Sequence, residues 1–243
     1  MTALPRAILF DLDETILSFG RRQALLMELA DQSADRFGPV TAAEAAEALE
    51  AAFLAYWADA ARHKIGRLNL ARSREGIVED AFATLRGRAP ALTPDFAREF
   101  GRRFHTYRED QVKFFPGALE TVEALKARGV RLALVTNGTS EMQRAKLVRF
   151  DLARLFEHVQ IEEEAGFGKP EPQAYRHALD TLGVAATETW MVGDNLEWEV
   201  AGPQRLGIYS IWHDHLGAGL PPDSSIRPDR IIRAIPELLD GID

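Results

Sequence analysis

Residues 7–10 (Ala-Ile-Leu-Phe) form an unbroken apolar run that passes directly into Asp11-Leu12-Asp13-Glu14-Thr15. A short apolar run bounded by polar turn residues predicts a buried strand. From about residue 20 to 112 the pattern becomes helical and alanine-rich. Leu25, Leu26, Leu29, Ala30, Ser33 and Phe37 recur at helical spacing, and Gly38-Pro39 closes that segment. Thr41 and Glu44 stand at capping-box spacing and open a second helix through Leu49, Phe53, Tyr56 and Trp57. A third helix is predicted from about Arg72 to Leu85. Thr93-Pro94 starts a fourth, carrying Phe96, Phe100, Phe104 and Tyr107. No strand-like run interrupts these four.

Beyond Phe114-Phe115-Pro116-Gly117, read as a turn, strands and helices alternate. A helix through Leu119, Val122 and Leu125 stops at Gly129. Strands are predicted at 130–135, 158–162, 190–192 and 208–212, with helices over about 140–149, 171–182 and 197–206. Such alternation implies βαβ units, hence an α/β fold with a parallel sheet and helices on both faces. The first strand then belongs with the C-terminal half. The expected organisation is a core of residues 1–18 and 114–243, with residues 19–113 inserted as an all-α helical bundle. Gly217 to Asp223 is a surface loop.

A formal net charge of −8 argues against nucleic-acid polymers and anionic membranes as partners, since both select basic surfaces. The chain has no cysteine, which excludes disulfides, thiolate metal sites and thiol nucleophiles. No apolar stretch approaches the roughly 20 residues that span a bilayer. A core strand begins within about six residues of the first methionine, so no secretory signal is expected and the cytoplasm is the default location.

Chemistry concentrates where the strands end. Ligands of open α/β sheets sit beyond the carboxyl ends of strands. There Asp11 and Asp13 leave the first strand, and two carboxylates at that place are costly unless they hold a cation or do acid–base work. The second strand ends in Thr136-Asn137-Gly138, a hydroxyl beside a Gly turn whose N–H groups suit phosphate oxygens. Lys169 follows Gly166-Phe167-Gly168 and precedes a proline. A further strand ends in Gly193-Asp194-Asn195, with Glu197 and Glu199 shortly after.

In order, spacing and strand context these four segments resemble the motifs of the haloacid dehalogenase-superfamily hydrolases. The resemblance is to the group with a helical cap inserted after the first strand, and it covers essentially the whole chain. It implies a Rossmann-like core and a phosphoryl-transfer site. Asp11 would be the nucleophile and Asp13 the acid that protonates the leaving oxygen and later deprotonates water. Mg²⁺ would be held by the Asp11 carboxylate, the Asp13 carbonyl and Asp194. Thr136, the Asn137 N–H and Lys169 would bind phosphoryl oxygens. The implied substrate is a small phosphorylated metabolite, such as a nucleotide, a sugar phosphate or phosphoglycolate, and the implied assembly a monomer or homodimer. The chain departs from the pattern twice. Glu14 stands where Gly or Asn is frequent, and Glu199 stands where the last motif usually closes with Asp, with Glu197 as a neighbour able to share that role.

Other features read as structural. His213 and His215 lack the further ligands a metal site requires. Tyr56 and Trp57 pack within the helical block. The basic segment 62–69 reads as a solvated loop joining two helices, with recognition of the substrate's non-reacting part as the functional alternative. Three other activities share the scaffold. A 2-haloacid dehalogenase has no leaving oxygen for Asp13 to protonate. Phosphonate cleavage would need a cap lysine, for which Lys64 is the one candidate. A phosphomutase would pass the phosphoryl group to a sugar hydroxyl. A non-catalytic binding protein would have lost one of the motif residues, all of which are present.

Overall fold

The computed structural model describes residues 4–240. β1 (Ala7–Phe10) is buried along its whole length, as an apolar run with no polar alternation requires of a central parallel strand. After a tight turn comes β2 (Leu17–Ser18). The chain then enters α1 (Arg22–Asp31), α2 (Ala42–Ala58), α3 (Ala60–Gly66), α4 (Leu70–Leu85) and α5 (Pro94–Asp110). It returns through β3 (Lys113–Phe114), α6 (Ala118–Ala127), β4 (Arg131–Thr136), α7 (Ser140–Arg149), β5 (His158–Ile161) and α8 (Glu162–Ala165). Next come α9 (Pro172–Leu182), β6 (Thr189–Gly193), a π-helical turn (Leu196–Ala201), α10 (Gly202–Gln204), β7 (Tyr209–His213) and β8 (Arg230–Ile232). None of the described helices is long and apolar enough to cross a membrane.

The chain forms two compact units, one of residues up to Ser18 together with Lys113 onward, the other Phe19–Val112. In the first, six strands lie in the order β5-β4-β1-β6-β7-β8 and every pairing is parallel. This is the parallel sheet the alternation predicts, with β8 as a sixth strand that its three residues were too few to announce. β2 and β3 form a separate antiparallel pair, so Phe114, read from sequence as the first residue of a turn, instead ends a strand. Glu162 begins α8 instead of ending β5. The helix expected over 197–206 is split into the π-helical turn and α10, with Pro203 at the start of the latter.

The helical unit is held by a phenylalanine cluster. Phe37, Phe82, Phe96 and Phe100 meet at ring-centroid separations of 5.3–6.3 Å, mostly edge to face. Thr41 and Glu44 make the predicted capping box, and Thr93 caps α5 ahead of Pro94. Tyr56 and Trp57 pack against this core, and the Tyr56 hydroxyl donates to Ser73 Oγ at 3.2 Å. Segment 62–69 is largely helix, not a loop. Asp59 caps α3 by accepting from the Ala61 and Arg62 N–H groups at 2.9 Å, and Ala60-Ala61 gives it a strong start.

Candidate active site

The register explains how distant motifs meet. β1 lies between β4 and β6, with Phe10 opposite Leu134 on one side and Val192 on the other. Asp11, Thr136 and Asp194 therefore leave three adjacent strands at one carboxyl edge, where the chain order reverses direction across the sheet. The Asp11 N–H extends the ladder to Val192 O at 3.0 Å, which fixes where its side chain starts.

Asp11 and Lys169 are both buried, and Lys169 Nζ lies 2.5 Å from Asp11 Oδ1. The other Asp11 oxygen accepts from Thr15 Oγ1 at 3.1 Å. Lys169 also reaches Glu199 Oε1 at 2.7 Å, so one ammonium bridges two carboxylates. Asn137 places this lysine by clamping its backbone. Asn137 Nδ2 donates to Lys169 O at 2.8 Å, and Lys169 N donates to Asn137 Oδ1 at 2.9 Å. The approach requires glycine at 168, because a Cβ there would sit 2.7 Å from both Asn137 Oδ1 and Glu162 Cδ. Glu162 itself accepts the Gly138 N–H at 3.0 Å. That N–H, one of those the turn offered for phosphate, is thus already committed to a buried carboxylate.

Glu199, not Glu197, enters the site. Glu199 is 1% exposed and accepts from the Asn195 N–H at 2.8 Å, whereas Glu197 is exposed and pairs with Arg205. Glu199 packs directly over Gly193, where a Cβ would fall 1.9 Å from its Cγ. His213 is also buried, and its Nδ1 lies 3.2 Å from Glu14 O. It packs on Phe115 at 4.9 Å between ring centroids. This is a packing role that steadies the turn after Asp13. Glu14 itself holds φ 58°, the left-handed region that favours the Gly or Asn frequent at that position.

The electrostatics leave negative charge in excess. Burial would lower the Lys169 pKa, but Asp11 and Glu199 outweigh it and raise it, so the ammonium stays charged. Burial raises Asp11, against the pull of Lys169. Burial, then the charges of Glu199, Asp11 and Glu14, hold Asp194 well above the usual carboxylate range. Three carboxylates thus crowd one ammonium. The Asp194 carboxylate receives no hydrogen bond from the described residues, although its main-chain oxygen accepts from Trp212 Nε1 at 2.7 Å. An under-neutralised pair of oxygen donors, Asp11 and Asp194, fits a hard divalent cation. No cluster of three or more His, Cys, Asp or Glu side chains suited to a metal occurs among the described residues. The remaining ligands would have to be a main-chain carbonyl and water.

Burial pushes the Glu199 carboxyl up to about 7, although Lys169 opposes the shift. A folded-state pKa raised above the ordinary value means the folded chain binds the proton more tightly. The resulting stability is full below about pH 4.5 and is lost as pH rises through 7. The buried His213, lowered to about 4, works the other way below pH 6.5. A comparison with Glu199→Gln isolates the glutamate. Between pH 5 and 7.5 the melting temperature of wild-type, metal-free protein is expected to fall relative to Glu199→Gln. Parallel curves would refute this.

Two residues in the site carry no signal in the motif pattern. Gln143 and Lys146 lie three apart on α7, and both are buried against Asp13. Their i, i+3 spacing is the one sequence hint that they share a face.

Comparisons with known proteins bear on the chain as a whole. The haloacid dehalogenase-like hydrolase family matches residues 5–207. The chain is 33% identical to a phosphoserine phosphatase from Thermus thermophilus, across 92% of this chain and 94% of that one. It is 31% identical to (S)-2-haloacid dehalogenase 4A from Burkholderia cepacia, over 52% of this chain and 53% of that protein. Among solved structures, the magnesium-bound HAD-hydrolase YfnB from Bacillus subtilis superposes with a TM-score of 0.70. That match covers 97% of each chain at 24% identity.

Proposed function

The chain belongs to the haloacid dehalogenase-like hydrolases, and from that premise we propose that it hydrolyses small phosphomonoesters with Mg²⁺ through an aspartyl-phosphate on Asp11. The observation that carries this reading is the buried chain Asp11–Lys169–Glu199 beside Asp194 at the carboxyl edge of β1, β4 and β6. Mg²⁺ would be held by Asp11, Asp194 and the Asp13 carbonyl, and would supply positive charge against a phosphoryl group.

The side chains divide the work. An Asp11 carboxylate oxygen attacks phosphorus, and the bond from phosphorus to the ester oxygen breaks. Asp13 gives that oxygen a proton as it leaves. Water then attacks the aspartyl-phosphate, Asp13 takes the water's proton, and inorganic phosphate departs with Asp11 restored. Lys169 offsets the charge of the phosphoryl oxygens, which would otherwise repel the carboxylate nucleophile. Thr136 Oγ1 and the Asn137 N–H would hold those oxygens. We assign residues 19–113 as the cap that selects the leaving group.

The test is a Mg²⁺-supplemented panel of phosphomonoesters that includes phosphoserine, nucleotides, sugar phosphates and phosphoglycolate. At least one is expected to release phosphate, and EDTA is expected to stop it. Asp13→Asn is expected to lower turnover by roughly 10²-fold or more, the scale of lost general acid–base catalysis. The partial match to a haloacid dehalogenase supports a second reading, attack by Asp11 on carbon. Asp13 weighs against it, because halide leaves without a proton. Halide release that persists in EDTA, with no phosphate released from the panel, would decide for the dehalogenase.

A further inference from the structure

Asp13 is held by groups outside the four motif segments. Lys146 Nζ lies 2.9 Å from Asp13 Oδ1 and 2.8 Å from Oδ2. Gln143 Nε2 lies 3.0 Å from the same Oδ2. The two residues also bind each other, since Lys146 Nζ donates to Gln143 Oε1 at 2.9 Å. Gln143 reaches the next strand end as well. Its Nε2 lies 2.7 Å from Thr136 Oγ1 and 2.8 Å from Asn137 O.

Hydrogen-bond inventory then fixes directions. An amide nitrogen has two hydrogens, here shared among three acceptors, and an ammonium has three. Because the Thr136 oxygen accepts from Gln143, the hydroxyl hydrogen is turned away from that amide. Its one other partner among the described residues is Asn137 O at 3.4 Å, a weak contact. Gln143 is 2% and Lys146 7% exposed, so both are too enclosed to swing freely. Burying an ammonium is costly unless it is paired, and here the pairing falls on Asp13.

We propose that Lys146 and Gln143 are positioning residues for the phosphatase reaction. Lys146 holds the Asp13 carboxyl in line with the leaving oxygen, and Gln143 turns the Thr136 hydroxyl toward a phosphoryl oxygen. This rests on the phosphatase reading above. It goes beyond that reading by placing two residues of α7 in control of the acid and of one phosphate donor.

The experiment compares kcat/KM for two leaving groups, an alkyl phosphate turned over in the panel and p-nitrophenyl phosphate. This constant reports the steps through departure of the leaving group. An alkoxide needs the proton from Asp13, whereas nitrophenolate departs as a stable anion. Lys146→Met is expected to cost the alkyl substrate about tenfold more than the aryl one, less than the roughly 10²-fold of losing the acid outright, because Asp13 itself remains. Asp13→Asn should show the same preference, larger in size. The double variant Asp13→Asn/Lys146→Met should fall no further than Asp13→Asn alone, because the lysine acts through the aspartate. The ratio is taken within one preparation, so partial unfolding, which lowers both rates equally, does not mimic the effect. Equal losses on both substrates, a gain on the alkyl one, or full additivity in the double variant would overturn the proposal. A wild-type protein inactive on both would instead remove the phosphatase reading.

Discussion

Asp11→Asn is expected to abolish phosphoester turnover and to leave the fold intact. The substitution keeps the shape of the side chain and its place at the end of β1, but an amide oxygen is a poor nucleophile. A loss of about 10⁴-fold or more is expected, the scale seen when an enzyme's nucleophile is removed. Stability should change little, because Lys169 retains Glu199 at 2.7 Å and Asp194 loses a neighbouring negative charge. Phosphate release and a melting curve from the same sample separate the two effects. A variant that keeps wild-type turnover would defeat the assignment of Asp11 as nucleophile.

Lys169→Met is expected to strike activity and stability together. Lys169 is fully buried and serves Asp11 and Glu199 at once, so removing its charge leaves two enclosed carboxylates without their counterion. Breaking a buried ion pair from one side costs about 3–5 kcal/mol. Urea unfolding should show the midpoint falling with little change in slope. Adding Glu199→Gln to the variant should recover part of the loss, since one of the stranded charges is then neutral. Activity should not return. A variant as stable as wild type would mean that the two carboxylates simply protonate without consequence to the fold.

The fold was readable because the strands that matter are short apolar runs that stop abruptly at polar residues. β1, β4 and β6 are almost wholly buried, and the residues after them carry the chemistry. What escaped depends on contacts between segments far apart in the chain. β8 has three residues and lies at the sheet's edge, too short to show a period. α3 was masked by its basic composition, although Asp59 supplies an N-cap. The motif position points to Glu199, but sequence leaves open whether Glu197 shares its role. Only the path of the π-helical turn across Gly193 decides that one meets Lys169 and the other Arg205. Lys146 and Gln143 sit on a helix rich in polar side chains, and nothing local marks them as the two that turn inward.

The position of β1 bears on how the polypeptide matures during translation. It leaves the ribosome well before its neighbours β4 and β6, which begin only at Arg131 and Thr189. Throughout that interval four apolar residues wait without hydrogen-bonding partners on either side, while α1–α5 can already close over their own phenylalanines. Such delayed, long-range pairing exposes a nascent chain to mispairing. A ribosome stalled before Arg131 would therefore display a naked strand to trigger-type chaperones, and one stalled beyond β6 would not.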